Sequence, residues 1–489
     1  MSNKRLMSDN FTCSTDDAVG ADATRVDAAN DDDATSANEA CAKEPSSQKL
    51  PDVAPLFETA SEIENSVCEW RHYLHQHPEL SNREDKTAEY IVQRLHEFGF
   101  ADADIHTHIG KTGVVAELRG GLSGSGAADS SRGDSSHADS PRAVLLRADI
   151  DGLPVKEETG LPYASEEVQE YPDGSHPVTH ACGHDMHIAM LLGAAKVLSE
   201  HKDQLNGSVY FVFQPAEEGA PVEEEGGAAY MMKDPIFEQL NPAPSLSFGM
   251  HVIPAPSGMV GVRKNVQHAS SEMVKITVHG EQVHGSSPWA GKDPLPAAAQ
   301  IISAMGQIYR QVDAACPFTI SIGHVEDQGR FNIVGGKVTL WGTVRCLDPD
   351  LMDVVNEKIE RTARNIGAAY DCETQTEFLQ QIPAVVNDPG TVDCLLPAFA
   401  AAAGGEEKVF AAPASLGYDD VSEFINAYGG VYALLGVQDL HFTSDGSLEP
   451  CDGGRGFQPN HSPKFYGNDE ALIVGVRMHV AVAAQHLSA

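Results

Sequence analysis

The chain has 489 residues and a formal charge of −38, with 71 acidic against 33 basic side chains. That length exceeds the roughly 250–300 residues at which one hydrophobic core stops growing, so two domains are expected. So acidic a surface repels phosphate backbones and anionic lipid, which argues against nucleic acid and membrane as partners, and no apolar run approaches the roughly 20 residues of a membrane span.

Residues 1–52 are rich in Asp, Ala and Ser, with the run Asp31-Asp32-Asp33 and few large apolar groups. Burial cannot offset their ordering entropy, so a disordered acidic tail is predicted. Lys4 and Arg5 precede no apolar stretch, which predicts no secretory leader and a cytoplasmic location. Nine cysteines without a Cys-x-x-Cys pair predict reduced thiols rather than a disulfide framework. Next, Ile63, Val67, Trp70 and Leu74, then Ala88, Ile91, Val92, Leu95 and Phe98, stand at helical spacing, the second set stopped by Gly99. The Gly/Ser/Asp-rich residues 120–141 predict a solvated loop. Strand-like runs at 143–146, 208–213 and 246–252 alternate with an apolar helix at 184–198, the pattern of a mostly parallel sheet wrapped by helices.

Between residues 266 and 383 the pattern changes. Alternation at Val274, Ile276 and Val278, a helix over 294–312, alternation at Phe318, Ile320 and Ile322 and again at Val338, Leu340, Gly342 and Val344, a helix over 350–368 and a polar strand at 373–379 spell β-α-β-β-α-β. This reads as an inserted split-βαβ domain of the α+β class. The larger α/β domain is then built from residues 53–265 and 384–489.

Cys182-Gly183-His184-Asp185-Met186-His187 opens the apolar helix, and a thiolate with an imidazole two residues on can grip one divalent cation. Gln214-Pro215-Ala216-Glu217-Glu218-Gly219 follows a strand; adjacent carboxylates there point apart, so one can bind metal while the other moves protons. Glu223-Glu224-Glu225 has no strand leading into it and reads as a solvated charge run. His251 ends a strand, and His461 lies in Asn460-His461-Ser462-Pro463. Cys182, His184, Glu218, His251 and His461 are too many donors for one tetrahedral ion and suit two ions sharing a ligand and a water. His72, His75 and His77 read as structural or solvated.

These motifs, with Leu74-His75-Gln76-His77-Pro78-Glu79-Leu80, Arg147-Ala148-Asp149-Ile150-Asp151-Gly152-Leu153-Pro154, Gly249-Met250-His251, His284-Gly285-Ser286-Ser287-Pro288-Trp289 and Gly291-Lys292-Asp293-Pro294, run in order from about Val53 to the C-terminus. The sequence resembles the aminoacylase and carboxypeptidase family of two-metal peptidases, in particular its N-acyl-amino-acid amidohydrolase branch of hippurate and auxin-conjugate hydrolases. The resemblance implies metal ligation by Cys182, His184, Glu218, His251 and His461, with Glu217 as general base. It also implies His284 as an oxyanion-stabilising group contributed across a dimer interface, and Asn332 and Arg345 near the substrate carboxylate. The wider superfamily has a metal-binding His where this chain has Arg147, which places Arg147 outside the metal shell and leaves Asp149 and Asp151 to orient ligands. Trp289 stands where many relatives carry a second His. Gly417-Tyr418-Asp419-Asp420 resembles a supporting acidic loop.

The implied enzyme hydrolyses N-acyl amino acids with two divalent cations per subunit, zinc favoured by the thiolate and manganese or cobalt also accepted. A homodimer paired through the inserted domain, which also acts as a lid, is expected. Two other readings stay open: a dipeptidase or carboxypeptidase on the same metals, and a non-catalytic metal-binding or regulatory protein.

Overall fold

The computed structural model of the chain describes residues 50–124 and 142–488. Nearly all of the expected acidic tail and most of the 120–141 stretch lie outside the described residues.

The run Arg-Ala-Val-Leu-Leu-Arg-Ala-Asp is strand Arg142–Asp149, buried from its second residue onward. A strand covered on both faces needs this unbroken apolar pattern. It sits inside an eight-stranded sheet whose order is Ile105–Ile109, Gly113–Arg119, Gly207–Gln214, Arg142–Asp149, Leu246–Pro256, Gly430–Gln438, Val260–Val262, Val409–Ala411. The middle of the sheet is parallel, from Gly207–Gln214 through Gly430–Gln438, as the alternating pattern predicts. The antiparallel hairpin Ile105–Ile109/Gly113–Arg119 is additional to the expected strands; its outward His-Thr-His stretch hides the alternation at the sheet edge.

Long helices cover one face. His184–Glu200 is apolar on nearly every side; it packs on the sheet beside Leu472–Leu487, which also touches the sheet, and is covered outside by Glu64–Gln76. The two helices meet at glycines: a Cβ on Gly193 would stand 2.6 Å from Val476 Cγ2, and one on Gly475 1.9 Å from Met190 Sδ. Any larger residue would push them apart. The first predicted helix is Glu64–Gln76, with Ile63 at its start, and a further helix that was not expected, Ala54–Glu62, precedes it. On the other face Leu145, Val212, Phe237, Phe424 and Tyr432 form a smaller core under short helices.

Residues 270–382 build a second, four-stranded antiparallel sheet in the order Phe318–Asp327, Lys337–Cys346, Ser270–His279, Glu373–Ile382. Helices Pro294–Met305 and Leu351–Ala369 pack on it through Val274, Ile276, Ala297, Ile301, Leu340 and Ile359. The helix expected over 294–312 ends at Met305, with Gly306 as its cap, and only a short turn Ile308–Arg310 follows. The chain passes between the two sheets along neighbouring segments, Asn265–His268 paired with Val385–Asn387. No helix among the described residues is long and apolar enough to cross a membrane.

Candidate metal centre

Chemistry-bearing side chains collect beyond the carboxyl ends of the parallel strands, where open α/β sheets place ligands. Gly183, at φ +88°, caps the helix that starts at His184, and a Cβ there would lie 2.3 Å from Val252 Cγ2. Only glycine lets the Cys182 loop approach the His251 strand so closely. The Asn460 amide then ties three segments together, donating to the carbonyls of Cys182 and Val252 at 3.2 Å each, while the His461 N–H donates to the Ala181 carbonyl at 2.8 Å.

The five donors singled out from the sequence meet. Cys182 Sγ lies 3.2 Å from His251 Nε2 and 3.3 Å from His461 Nε2. His461 Nε2 lies 3.3 Å from Glu218 Oε1, which is 3.9 Å from His184 Nε2; Glu217 Oε2 is 3.8 Å from the same nitrogen. His184 Nδ1 donates to the Asp151 carbonyl at 2.9 Å and His251 Nδ1 to the Val252 carbonyl at 2.7 Å. Those bonds leave each Nε2 lone pair aimed inward, the tautomer a metal-ligating imidazole needs.

The donor set fits divalent cations. His184 Nε2 and Glu218 Oε1 are buried without a hydrogen-bond partner, an arrangement that is costly unless something of opposite polarity joins them. Burial, then the carboxylates of Glu218 and Glu217, pushes the Cys182 thiol well above its ordinary range. Burial pulls His184 down, yet Asp149 and Asp151 outweigh it and raise the imidazole to about 10. Both shifts report a pocket short of positive charge, which divalent cations would supply.

Around this cluster stands a buried frame. Arg147, 1% exposed, donates to Asp149 Oδ2 at 2.6 Å and to Gln214 Oε1 at 2.8 Å, and its Nη2 lies 3.1 Å from both Asp419 Oδ1 and Asp420 Oδ1. Asp149 accepts from His187 Nδ1, whose Nε2 accepts the Val252 N–H at 2.9 Å. Asp151 Oδ2 accepts the Glu218 N–H at 3.0 Å. His187 and Gln214 were not singled out from the sequence, although His187 lies one helical turn after His184. His75 is structural: it is buried, with Nδ1 on Asp185 at 2.9 Å beside Arg71 Nε at 2.8 Å. Arg71 and His75 stand four apart on the inward face of their helix, a placement of charge that was the available signal.

His284, Asn332 and Arg345 are placed differently. His284 is exposed on the short ladder Val283–His284/Ile333–Val334, where the Gly285 N–H donates to the Asn332 carbonyl at 2.9 Å. Its Nδ1 accepts from the Ser286 N–H at 3.0 Å; no described hydrogen bond or ion pair joins His284 or the Asn332 side chain to the cluster. Arg345 is nearer. Its guanidinium is 5.0 Å from the Tyr418 ring, and Tyr418 adjoins Glu217 and Glu218, whose charge adds to burial in raising its phenol.

The reading of Glu223-Glu224-Glu225 as a solvated run needs correction at its centre. Glu224 accepts from Arg83 Nη2 and Lys111 Nζ at 2.6 Å each and from Asn82 Nδ2 at 3.1 Å. Cations from two other segments pin the loop there, which no local pattern reveals. The bonds from Arg83 and Lys111 hold the carboxyl down at about 2. A depressed acid contributes stability above its unfolded pKa of roughly 4.3, lost as pH falls through the folded value. The stability gap between wild type and Glu224→Gln should therefore be full at pH 7 and close as pH falls from about 4 toward 2, read by urea unfolding; a gap unchanged over that window would contradict the clasp.

A cluster of one thiol, three imidazoles and two glutamates at the strand ends of an α/β sheet defines a metal-dependent hydrolase. The profile of peptidase family M20/M25/M40 matches residues 145–485, and the chain belongs to that family, whose members here act on amide bonds. It is 30% identical over 437 residues to thermostable carboxypeptidase 1 of Saccharolobus solfataricus, covering 88% of this chain and 98% of that one. It is 36% identical over 325 residues to hippurate hydrolase of Campylobacter jejuni, covering 66% and 75%. Among solved structures, the Bacillus subtilis YXEP protein, a dinuclear metal binding peptidase from the M20 family, superposes with a TM-score of 0.64 at 28% identity, covering 87% of this chain and 99% of that one.

Proposed function

We propose that the chain hydrolyses N-acyl amino acids to a carboxylic acid and a free amino acid. The observation that carries this reading is Glu217: buried and as near to His184 Nε2 as Glu218 is, 3.8 against 3.9 Å, while Glu218 alone of the two also reaches His461, at 3.3 Å. Cys182, His184, Glu218, His251 and His461 would hold two divalent cations, zinc favoured by the thiolate and manganese or cobalt accepted by the rest. When bound, such a pair supplies Lewis acidity to a water nucleophile and to the acyl carbonyl. Glu217 takes the water proton as the oxygen attacks and returns it to the departing nitrogen. Burial, with Asp419, Glu218 and Asp420 close by, raises its carboxyl well above the ordinary range. Asp149, Asp151 and His187 keep the imidazoles oriented. Arg345 receives the substrate carboxylate, with Asn332 from the same inserted region.

Residues 53–265 and 384–489 form the catalytic part in this reading, and residues 266–383 the dimerising lid. Phe318–Asp327 is an edge strand of the second sheet, open to pairing with a second copy. Such a dimer would bring the exposed His284 to the oxyanion of the partner's site. Light scattering at assay concentration should return a dimer; a fully active monomer would refute this arrangement.

The function is tested on chelator-stripped protein reloaded with zinc, manganese or cobalt. N-acetyl and N-benzoyl amino acids should be cleaved in preference to unblocked dipeptides, and only by the reloaded enzyme. Preference for dipeptides or C-terminally extended peptides would favour the carboxypeptidase reading, which the 30% identity to thermostable carboxypeptidase 1 keeps in view. Bound metal with no turnover on either class would favour a binding protein.

A further inference from the structure

Glu84 belongs to neither the donor cluster nor the Arg147 frame, yet it is fully buried. Its Oε1 accepts the Ala216 N–H at 2.9 Å and its Oε2 accepts the Thr112 hydroxyl at 2.6 Å. Ala216 has φ +55°, in the left-handed region that a residue with a Cβ seldom occupies without support. It directly precedes Glu217. On the far side of Glu217, the Glu218 N–H is held at 3.0 Å by Asp151 Oδ2, which Ser81 Oγ also reaches at 2.6 Å. Two buried carboxylates thus grip the backbone on either side of Glu217, and the short segment from Ser81 to Glu84 supplies one of them and braces the other.

We propose that Glu84 is a positioning residue of the reaction: by accepting the Ala216 N–H it holds the left-handed turn that sends Glu217 and Glu218 in different directions. This rests on the hydrolase reading, because it takes Glu217 as the base and Glu218 as a cation ligand. Without the acceptor, Ala216 relaxes toward negative φ and rotates both carboxylates away. The role belongs to the acceptor oxygen and its reach rather than to its charge, so the two conservative substitutions should diverge. Glu84→Gln keeps an oxygen at the same distance. Glu84→Asp keeps the charge but withdraws the carboxylate by one methylene. Ala216→Gly makes the left-handed turn inexpensive, so it should rescue Glu84→Asp, an effect that lost core packing alone would not produce.

The experiment uses the full chain, checked for folding by circular dichroism. Zinc affinity of stripped protein is read by competition with a chromogenic chelator, and kcat and KM on the N-acyl amino acid that wild type cleaves best. Glu84→Gln should stay within about threefold of wild type, and Glu84→Asp should lose about 10–100-fold in zinc affinity and kcat with KM little changed. The double variant Glu84→Asp/Ala216→Gly should recover most of that loss. Wild-type behaviour of Glu84→Asp, equal damage from Glu84→Gln, or no rescue would each overturn the proposal. Should Glu84→Asp fail to fold, Ala216→Val, which disfavours the turn with Glu84 intact, should lose at least about tenfold in the same two readouts, and unchanged values would overturn it. If wild type cleaves neither acyl amino acids nor peptides, the hydrolase reading fails, while the zinc-affinity arm still judges Glu84.

Discussion

Glu217→Gln is expected to lower kcat by about 10²–10⁴ while leaving the cation content of the protein unchanged, the cost typical of removing a general base. The side chain keeps its volume and burial, so packing is conserved. The five candidate ligands are untouched, and Glu218 still has His184 Nε2 at 3.9 Å and His461 Nε2 at 3.3 Å. What disappears is a group able to take and return a proton. Stability should rise slightly or hold, because the substitution removes an acid that burial and its neighbours Asp419, Glu218 and Asp420 make costly to ionise. Elemental analysis paired with steady-state kinetics checks both halves. Near wild-type turnover would remove Glu217 as the base, and loss of bound metal would make it a ligand instead.

Arg147→Met should destabilise the fold by about 3–5 kcal/mol, the range for breaking a buried ion pair by removing one partner. The guanidinium is 1% exposed and faces three carboxylates at 2.6 to 3.1 Å. Methionine replaces much of the volume but none of the donors. Partial compensation remains: Asp420 also accepts from the Ala228 N–H at 2.6 Å and from Gln214 Nε2 at 2.8 Å, and Asp419 from the Val421 N–H at 2.9 Å and the Tyr432 hydroxyl. These bonds favour the lower end of the range. Even with Arg147 present, burial outweighs it and lifts Asp420 to about 7. Without it Asp420 binds its proton more tightly still in the folded state, so the deficit should shrink as pH falls from 7 toward 5, where Asp420 is neutral. Urea unfolding of both proteins at the two pH values tests this, and a loss below about 1 kcal/mol at pH 7 would show that Arg147 does not hold the frame.

The architecture was legible wherever burial imposes a period. Alternation at Val274, Ile276 and Val278 marks a strand with one buried face, and unbroken apolar runs mark strands covered on both, so the parallel sheet and the β-α-β-β-α-β order of the second sheet follow from patterning. Patterning failed where no core face sets the period. The edge strand Ile105–Ile109 shows its polar residues outward, the helix after Pro294 stops at a glycine inside an apolar stretch, and the helix Ala54–Glu62 buries only Leu56 and Ala60.

The amino-acid order alone named a sulfur, three imidazoles and adjacent glutamates as chemically uncommon neighbours for strand ends and turns, because donor chemistry is a property of side chains. Folding decided their meeting: Cys182, His251 and His461 are separated by 69 to 279 positions, yet their donor atoms stand within 3.3 Å of the sulfur. It decided too that Arg147 faces Asp419 and Asp420, that Glu224 is clasped, and that Glu84 reaches Ala216. A hydrogen bond or ion pair depends on distance and direction in space, and sequence separation carries neither.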